Sequence, residues 1–326
     1  MTASTSAPPL FLQPLADRHG VPAGLLLAAG AVDGDAAAWP MASLQALAGQ
    51  FPCFYHAAAD AAAAQALQAA GWMALPSAGL LRLDSALGQP LPADIAWLAG
   101  DWYLAPPPKP NGQQAASRAL ALRLVQLVNA EADNHEIEAV LRQDPTLSYH
   151  LLRLVNSLGM GTGRRVTSFS QAILILGRQQ LRRWLNLMLF AARADDARAP
   201  MLLARVAVRA QAMELLARAG GLNKSTQEQA FMIGMFSLLG ALFGLSLQDV
   251  LQPLVVADAV RVALLERGGE LGALLALLEQ AERGDFAALS AQLAAAQIAV
   301  DDFNLIVAEA NLWMLGVAAG AGHVHA

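Results

Sequence analysis

The eighteen residues FMIGMFSLLGALFGLSLQ, Phe231 to Gln248, hold no charged side chain, and what they form decides the fold. A run of this length and apolarity sits at the lower limit for a membrane span. Three features point instead to the buried core of a water-soluble helical domain. Gly234, Gly240 and Gly244 weaken a single long helix. Ser246 followed by Asp249 marks a new helix start after a break at Gly244. Neither an aromatic belt nor a cluster of lysine and arginine brackets the run.

Outward from this run the pattern stays helical. In ASRALALRLVQLVNA, Leu120, Leu124, Leu127 and Val128 share one helical face. DNHEIEAVLRQ opens with Asp133 and Glu136 at capping-box spacing. DPTLSYHLLRLVNSLG starts with Asp144 as N-cap and Pro145 at the first helical position, where a missing N–H costs nothing. Leu147, Leu151, Leu154 and Leu158 line its apolar face, and Gly159 ends it. SFSQAILILG repeats the grammar, with Ser168 and Gln171 at the start and Gly177 at the stop. No 20–50-residue period recurs, so a solenoid is not expected.

The other half is different. APPPKPNGQQ, Ala105 to Gln114, is a stiff polar connector. Before it, LFLQPLA, AGLLLAA, FPCFYHA and LLRLDSA read as short strands. Alanine-rich tracts lie between them, such as ADAAAAQALQAAG with Asp60 as cap and Gly71 as stop. The alternation predicts an α/β layer. The expected organisation is a small α/β domain over 1–105, a proline-rich linker over 106–114, and an all-helical domain over 115–326.

Composition bounds the chemistry. Of 326 residues, 56% are hydrophobic and 14% charged, enough for a sizeable core and too few charges for disorder. The net charge of −5 supplies no basic field for nucleic acid, so no nucleic-acid partner is expected. The single cysteine, Cys53, excludes an intramolecular disulfide framework and a multi-cysteine zinc site. The opening MTASTSAPPLFLQPLADRHG lacks a basic region followed by an apolar one, and a cytoplasmic location is expected.

LRQDPTLSYHLLRLVNS followed by VTSFSQAILILGRQQLRRWLNLML resembles the HDOD domain, the HD-related output domain of bacterial signalling proteins. The likeness rests on the spacing of Asp144-Pro145, Leu151-Leu152, Asn156-Ser157, Ala172-Ile173 and Leu176-Gly177, and extends over about residues 115–310. FLQPLADRHGVPAGLLL resembles more weakly the opening strands of an EAL domain, the phosphodiesterase module for cyclic di-GMP. Gln13, Pro14, Leu15 and Asp17 match that opening, and LAGDWYLAPP resembles its end. Together these likenesses imply a shortened EAL–HDOD tandem. The fold is expected to be mainly α: an HD-like helical domain preceded by a small α/β domain similar to a truncated EAL barrel.

The same likenesses imply lost ligands. GMFSLLG, Gly234 to Gly240, stands where metal phosphohydrolases of the HD type read Gly-x-x-His-Asp-x-Gly, and Ser237 and Leu238 replace the ligating pair. Leu25 replaces the glutamate that holds metal in an EAL domain. About a hundred residues cannot close a (β/α)₈ barrel of roughly 200–250. Its open edges then need cover, from the helical domain or from a second copy in a homodimer. No histidine pairs closely with an aspartate: His19 and His56 precede the connector, His135 and His150 lie on separate helical segments, and His323 and His325 lie in the tail.

Other candidates are less specific. GMGTG, Gly159 to Gly163, follows a helix rather than a strand, so it reads as a turn. In GGLNKST, Asn223 stands where a phosphate loop needs glycine before Lys224-Ser225. Arg164, Arg165, Arg178, Arg182 and Arg183 form the densest basic cluster. They read either as a solvated face or as a contact for an acidic partner or phosphate. The expectation is a non-enzymatic signalling protein without metal or cofactor, acting through a signalling partner. The alternative is a sensor that binds a nucleotide such as cyclic di-GMP without cleaving it. A third reading is a phosphohydrolase whose ligands converge from separate helices.

Overall fold

Among the described residues, six short strands curl into an open sheet. β1 (Leu10–Ala16), β2 (Pro22–Ala29), β3 (Cys53–Tyr55), β4 (Met73–Ala74), β5 (Leu80–Arg82) and β6 (Trp97–Ala99) run in the spatial order β4-β3-β2-β1-β6-β5. β1 is antiparallel to β2 and β6, while β2, β3 and β4 are mutually parallel, as are β5 and β6. The computed structural model of the chain describes residues 7–30, 39–56, 61–76, 78–87, 91–107, 120, 123, 124, 126–130, 132–141, 143, 183, 185–187, 196–254 and 256–321. The helices expected over 144–159 and 168–177 lie outside the described residues, as do most of the connector and the tail histidines.

Alternation of side chains gives the sheet two apolar faces. On the concave one, Leu15, Leu26, Phe54 and Ala99 pack with Leu75, Leu80 and Trp97. Phe54 on β3 and Trp97 on β6 have two strands between them in the sheet order, yet their rings meet edge-on with centroids 5.0 Å apart. The sheet therefore curls until its own side chains meet across its hollow, as a half-barrel. Gly24 makes room for this: a Cβ there would lie 3.1 Å from both rings. Leu25, Leu27, Cys53 and Tyr55 face the other way, into the main core. That face is covered by α1 (Met41–Ala48), α2 (Ala61–Ala69) and the C-terminal helices.

β1 is where the two halves join. It pairs with β2 along its whole length but with β6 only at Ala16 opposite Leu98. Most of one side is thus free for other partners, which is why Pro14 is tolerated in a central strand. The side-chain amide of Asn304, wholly buried, takes up one group of the strand and one just before it. Its Oδ1 accepts from the Leu10 N–H at 2.9 Å and its Nδ2 donates to the Pro8 carbonyl at 3.1 Å. The β1–β2 turn is fixed by Asp17, whose carboxylate accepts from the N–H groups of His19 and Val21. Gly20 closes it at φ 81°, pressed so near the Ala197 carbonyl that a Cβ would lie 2.7 Å away.

After the sheet a 3-10 turn (Trp102–Leu104) leads to helices: α3 (Asn134–Leu141), α4 (Ala199–Ala219), α5 (Lys224–Phe236), α6 (Leu239–Phe243), α7 (Leu247–Leu251), α8 (Asp258–Glu266), α9 (Gly269–Arg283), α10 (Phe286–Ala295) and α11 (Val300–Ala321). α4 is central and buried on nearly every side. Gly234 lets α5 approach it closely, since a Cβ there would stand 2.5 Å from the Ala210 Cα. The uncharged run from Phe231 is broken as its glycines predict. α5 ends at Phe236, and Gly244 closes α6 in the left-handed region at φ 65°. Ser246 caps α7 by accepting from the Asp249 N–H at 3.1 Å, a contact worth about 1 kcal/mol. Asn223 caps α5 in the same way. No helix among the described residues is long and apolar enough to cross a membrane.

Candidate functional site

Ser237 lies just past the end of α5, against the middle of α4. Its hydroxyl donates to the Gly234 carbonyl at 2.7 Å and accepts from Arg209 Nη1 at 2.7 Å. The hydroxyl is therefore a spacer between a helix end and a buried cation. Leu238 beside it is buried in the main core. Leu25 is wholly buried in that core, on the convex side of the sheet rather than in its hollow.

Arg209 belongs to a buried triad. Its Nε donates to Glu282 Oε1 at 2.9 Å and its Nη2 pairs with Oε2. Arg205, one turn earlier on α4, reaches the same Oε2 at 3.2 Å. The three side chains are only 4–6% exposed. Burial pushes the Glu282 carboxyl up, but Arg205 and Arg209 outweigh it and hold the group below its ordinary value. For Arg205, burial pushes down, and Glu282 more than restores the cation. The guanidinium carbon of Arg205 also stands 5.3 Å from the Phe11 ring of β1, a cation–π contact across the two halves. Its Nε has no acceptor among the described residues, so Glu282 and the ring are what hold it.

Among the arginines of the basic cluster, Arg183 is described. Its guanidinium forms a two-pronged bond to Glu214 at 2.8 and 2.9 Å and lies 4.4 Å from the Phe231 ring centre. Its charge is engaged within the fold. Arg164, Arg165, Arg178 and Arg182 lie outside the described residues, as do His150 and the GMGTG turn. His19, His56 and His135 are all exposed and separate. Among the described residues no three histidine, cysteine, aspartate or glutamate side chains group as a metal site.

Two buried acids give the fold an alkaline limit. Burial pushes the Cys53 thiol up to about 12 from 9.0. Burial likewise pushes the Tyr103 phenol up to about 12 from 10.0, and Arg205 offsets only part of this. Both groups are neutral when folded and ionise sooner when unfolded. Their contribution is complete below pH 9 and falls as pH rises from 9 to 12. Urea melts at pH 8 to 11 are expected to show stability declining above pH 9. The decline is expected to be shallower in Cys53→Ala and Tyr103→Phe. A flat profile in the native chain would remove both groups from the ledger.

The triad escaped the sequence reading, though it had a signal. Arg205 and Arg209 sit one turn apart in the otherwise apolar ARVAVRA, and Glu282 stands one helical turn after the apolar LLALL. Charges on such faces are buried with a partner or not at all. The two elements are about 75 residues apart in sequence, so pairing them needed the fold.

The family profile of the HDOD domain matches residues 117–271. Over 184 residues the chain is 35% identical to a protein named cyclic di-GMP phosphodiesterase CdgJ, from Vibrio cholerae serotype O1 strain El Tor Inaba N16961. That alignment covers 56% of this chain and 42% of the relative. Over 166 residues it is 27% identical to the uncharacterized protein YuxH of Bacillus subtilis strain 168, covering 50% of this chain and 40% of the relative. The chain thus spans about two fifths of the length of these curated relatives. A solved structure from Shewanella amazonensis SB2B covers 63% of this chain and 93% of its own at 16% identity. Its TM-score of 0.42 is too low to carry an argument.

These likenesses correct the expectation that the chain is not an enzyme, because a relative at 35% identity bears a phosphodiesterase's name. That expectation equated the loss of ligands at Leu25, Ser237 and Leu238 with the loss of all chemistry. Catalytic groups can instead converge from separate helices. Residues 117–271 of the chain match the HDOD domain of the HD superfamily.

Proposed function

We propose that this chain acts in a bacterial cytoplasmic cyclic di-GMP circuit, with its HDOD domain engaging a partner signalling protein. The curled sheet would be the remnant of an EAL barrel, with residues 1–105, 106–114 and 115–326 as sheet domain, linker and helical domain. The observation that carries the reading is the 35% identity over 184 residues to a protein named as a cyclic di-GMP phosphodiesterase. The open order of the six strands supports the barrel remnant, because β4 and β5 end the sheet without pairing to each other. The same relative's name favours a second reading, direct recognition of cyclic di-GMP by this chain.

One experiment in cells tests the first reading. Removing the chain from its host is expected to change the cellular level of cyclic di-GMP, and restoring it is expected to reverse the change. An unaltered level under conditions where the chain is expressed would overturn the proposal. Calorimetric titration of the purified chain with cyclic di-GMP and magnesium separates the readings, followed by chromatography of the products. Saturable heat or product places the nucleotide on this chain; neither outcome places the action in a partner.

A further inference from the structure

We propose that Arg198 is a joint through which the α/β half sets the conformation of the turn Leu238–Leu245 in the helical half. Arg198 lies at the start of α4, 4% exposed. Its Nε and Nη2 form a fork on the Asp196 carboxylate at 3.0 and 2.8 Å, and its own N–H also donates to Asp196. This fixes the guanidinium plane. The remaining nitrogen, Nη1, reaches carbonyls from both halves. It donates to Ala105, has a long contact with Tyr103 at 3.4 Å, and donates to Ala241 at 3.2 Å. Tyr103 and Ala105 belong to the exit from the sheet. Ala241 belongs to α6.

α6 is the element such a joint can control. It has five residues, and Leu238 provides no side-chain cap at its start. Its last turn leaves carbonyls without helical partners, and Arg198 satisfies one of them with a cation at the negative end of the helix. A second contact grips the same element. Gly244, which ends α6, lies under Pro107 so closely that a Cβ would stand 2.6 Å from the proline ring. At the upstream end Arg209 holds Ser237. The short helix is thus positioned by the chain leaving the sheet, and displacement of that exit segment releases the turn. The joint stands whether or not cyclic di-GMP is the signal.

Hydrogen exchange on the full chain tests this. In Arg198→Lys the ammonium keeps the charge, but a compact head cannot hold the carboxylate fork and the carbonyls together. Peptides covering 102–107 and 238–245 are expected to exchange about tenfold faster together. Those covering 205–216 and 300–312 are expected to keep their protection. Acceleration confined to one of the two segments, or spread uniformly over the chain, would overturn the joint. The native chain gives a second measurement that needs no variant. In low urea the two segments are expected to open as one unit, with the same dependence on denaturant. Separate openings would also overturn it.

Discussion

Glu282→Ala is expected to destabilise the full chain by about 3–5 kcal/mol, because it leaves two buried cations without their counter-charge. Arg205 and Arg209 are 4% and 5% exposed and share this one carboxylate. Neither can reach water without opening the contact between α4 and α9. For a chain of this size the loss corresponds to a fall in Tm of about 10 °C. The remedy is as informative as the damage. Replacing all three charges by apolar residues of similar size (Arg205→Met, Arg209→Met, Glu282→Leu) is expected to cost less than Glu282→Ala alone, since no ion then remains to be desolvated. The pH dependence fixes the sign. Glu282 titrates below its ordinary 4.5 when folded, so its contribution is present above pH 4.5 and is lost as pH falls through the lower folded value. The native chain and Glu282→Gln are therefore expected to differ most near neutrality and to converge in acid. A single-variant loss under about 1 kcal/mol in urea melts at pH 7 would show that the triad is not buried as described.

Different physical signals made parts of this molecule legible and others not. LFLQPLA coincides with β1, and the helix start at Ser246 carries the expected cap, whereas Asn223, read only as an obstacle to a phosphate loop, also caps a helix. Each is a local matter: a run of apolar residues, or a hydroxyl or amide three residues before an orphan N–H. β4 and β6 were missed, although β3 and β5 are no longer than β6, because their two or three residues stand outside the apolar runs that announced the other strands; pairing with a neighbour makes them strands. The curl of the sheet was missed for a similar reason. It depends on Phe54 meeting Trp97 across a distance of 43 residues. Ser237 was noticed as a departure from a motif, but its partner was not. Which cation a hydroxyl meets is decided by how α4 and α5 cross, and Gly234 against Ala210 decides that.

Residues 1–105 expressed alone are expected to be insoluble or molten, while 112–326 remains helical and melts cooperatively. The sheet fragment would lose the contacts that cover β1. Asn304 no longer meets the Leu10 N–H, leaving that donor on an exposed edge, and the Pro8 carbonyl keeps only Trp39 Nε1. Arg205 no longer stacks on Phe11, and Arg198 no longer holds the Tyr103 and Ala105 carbonyls. Leu10, Phe11, Leu12, Trp102 and Tyr103 are each at most 2% exposed, and all belong to the core that runs through both halves. Returning such side chains to water costs about 1.5–3 kcal/mol apiece. A few of them match the whole stability of a typical domain, about 5–15 kcal/mol. The fragment keeps only its concave cluster around Phe54 and Trp97, whose edge-on contact contributes about 0.5–1.5 kcal/mol beyond area. Circular dichroism and thermal melts of both pieces decide the matter. A soluble, monomeric 1–105 with its own sharp transition would mean that the sheet stands without the helices, and that the shared core is a contact surface rather than a condition for folding.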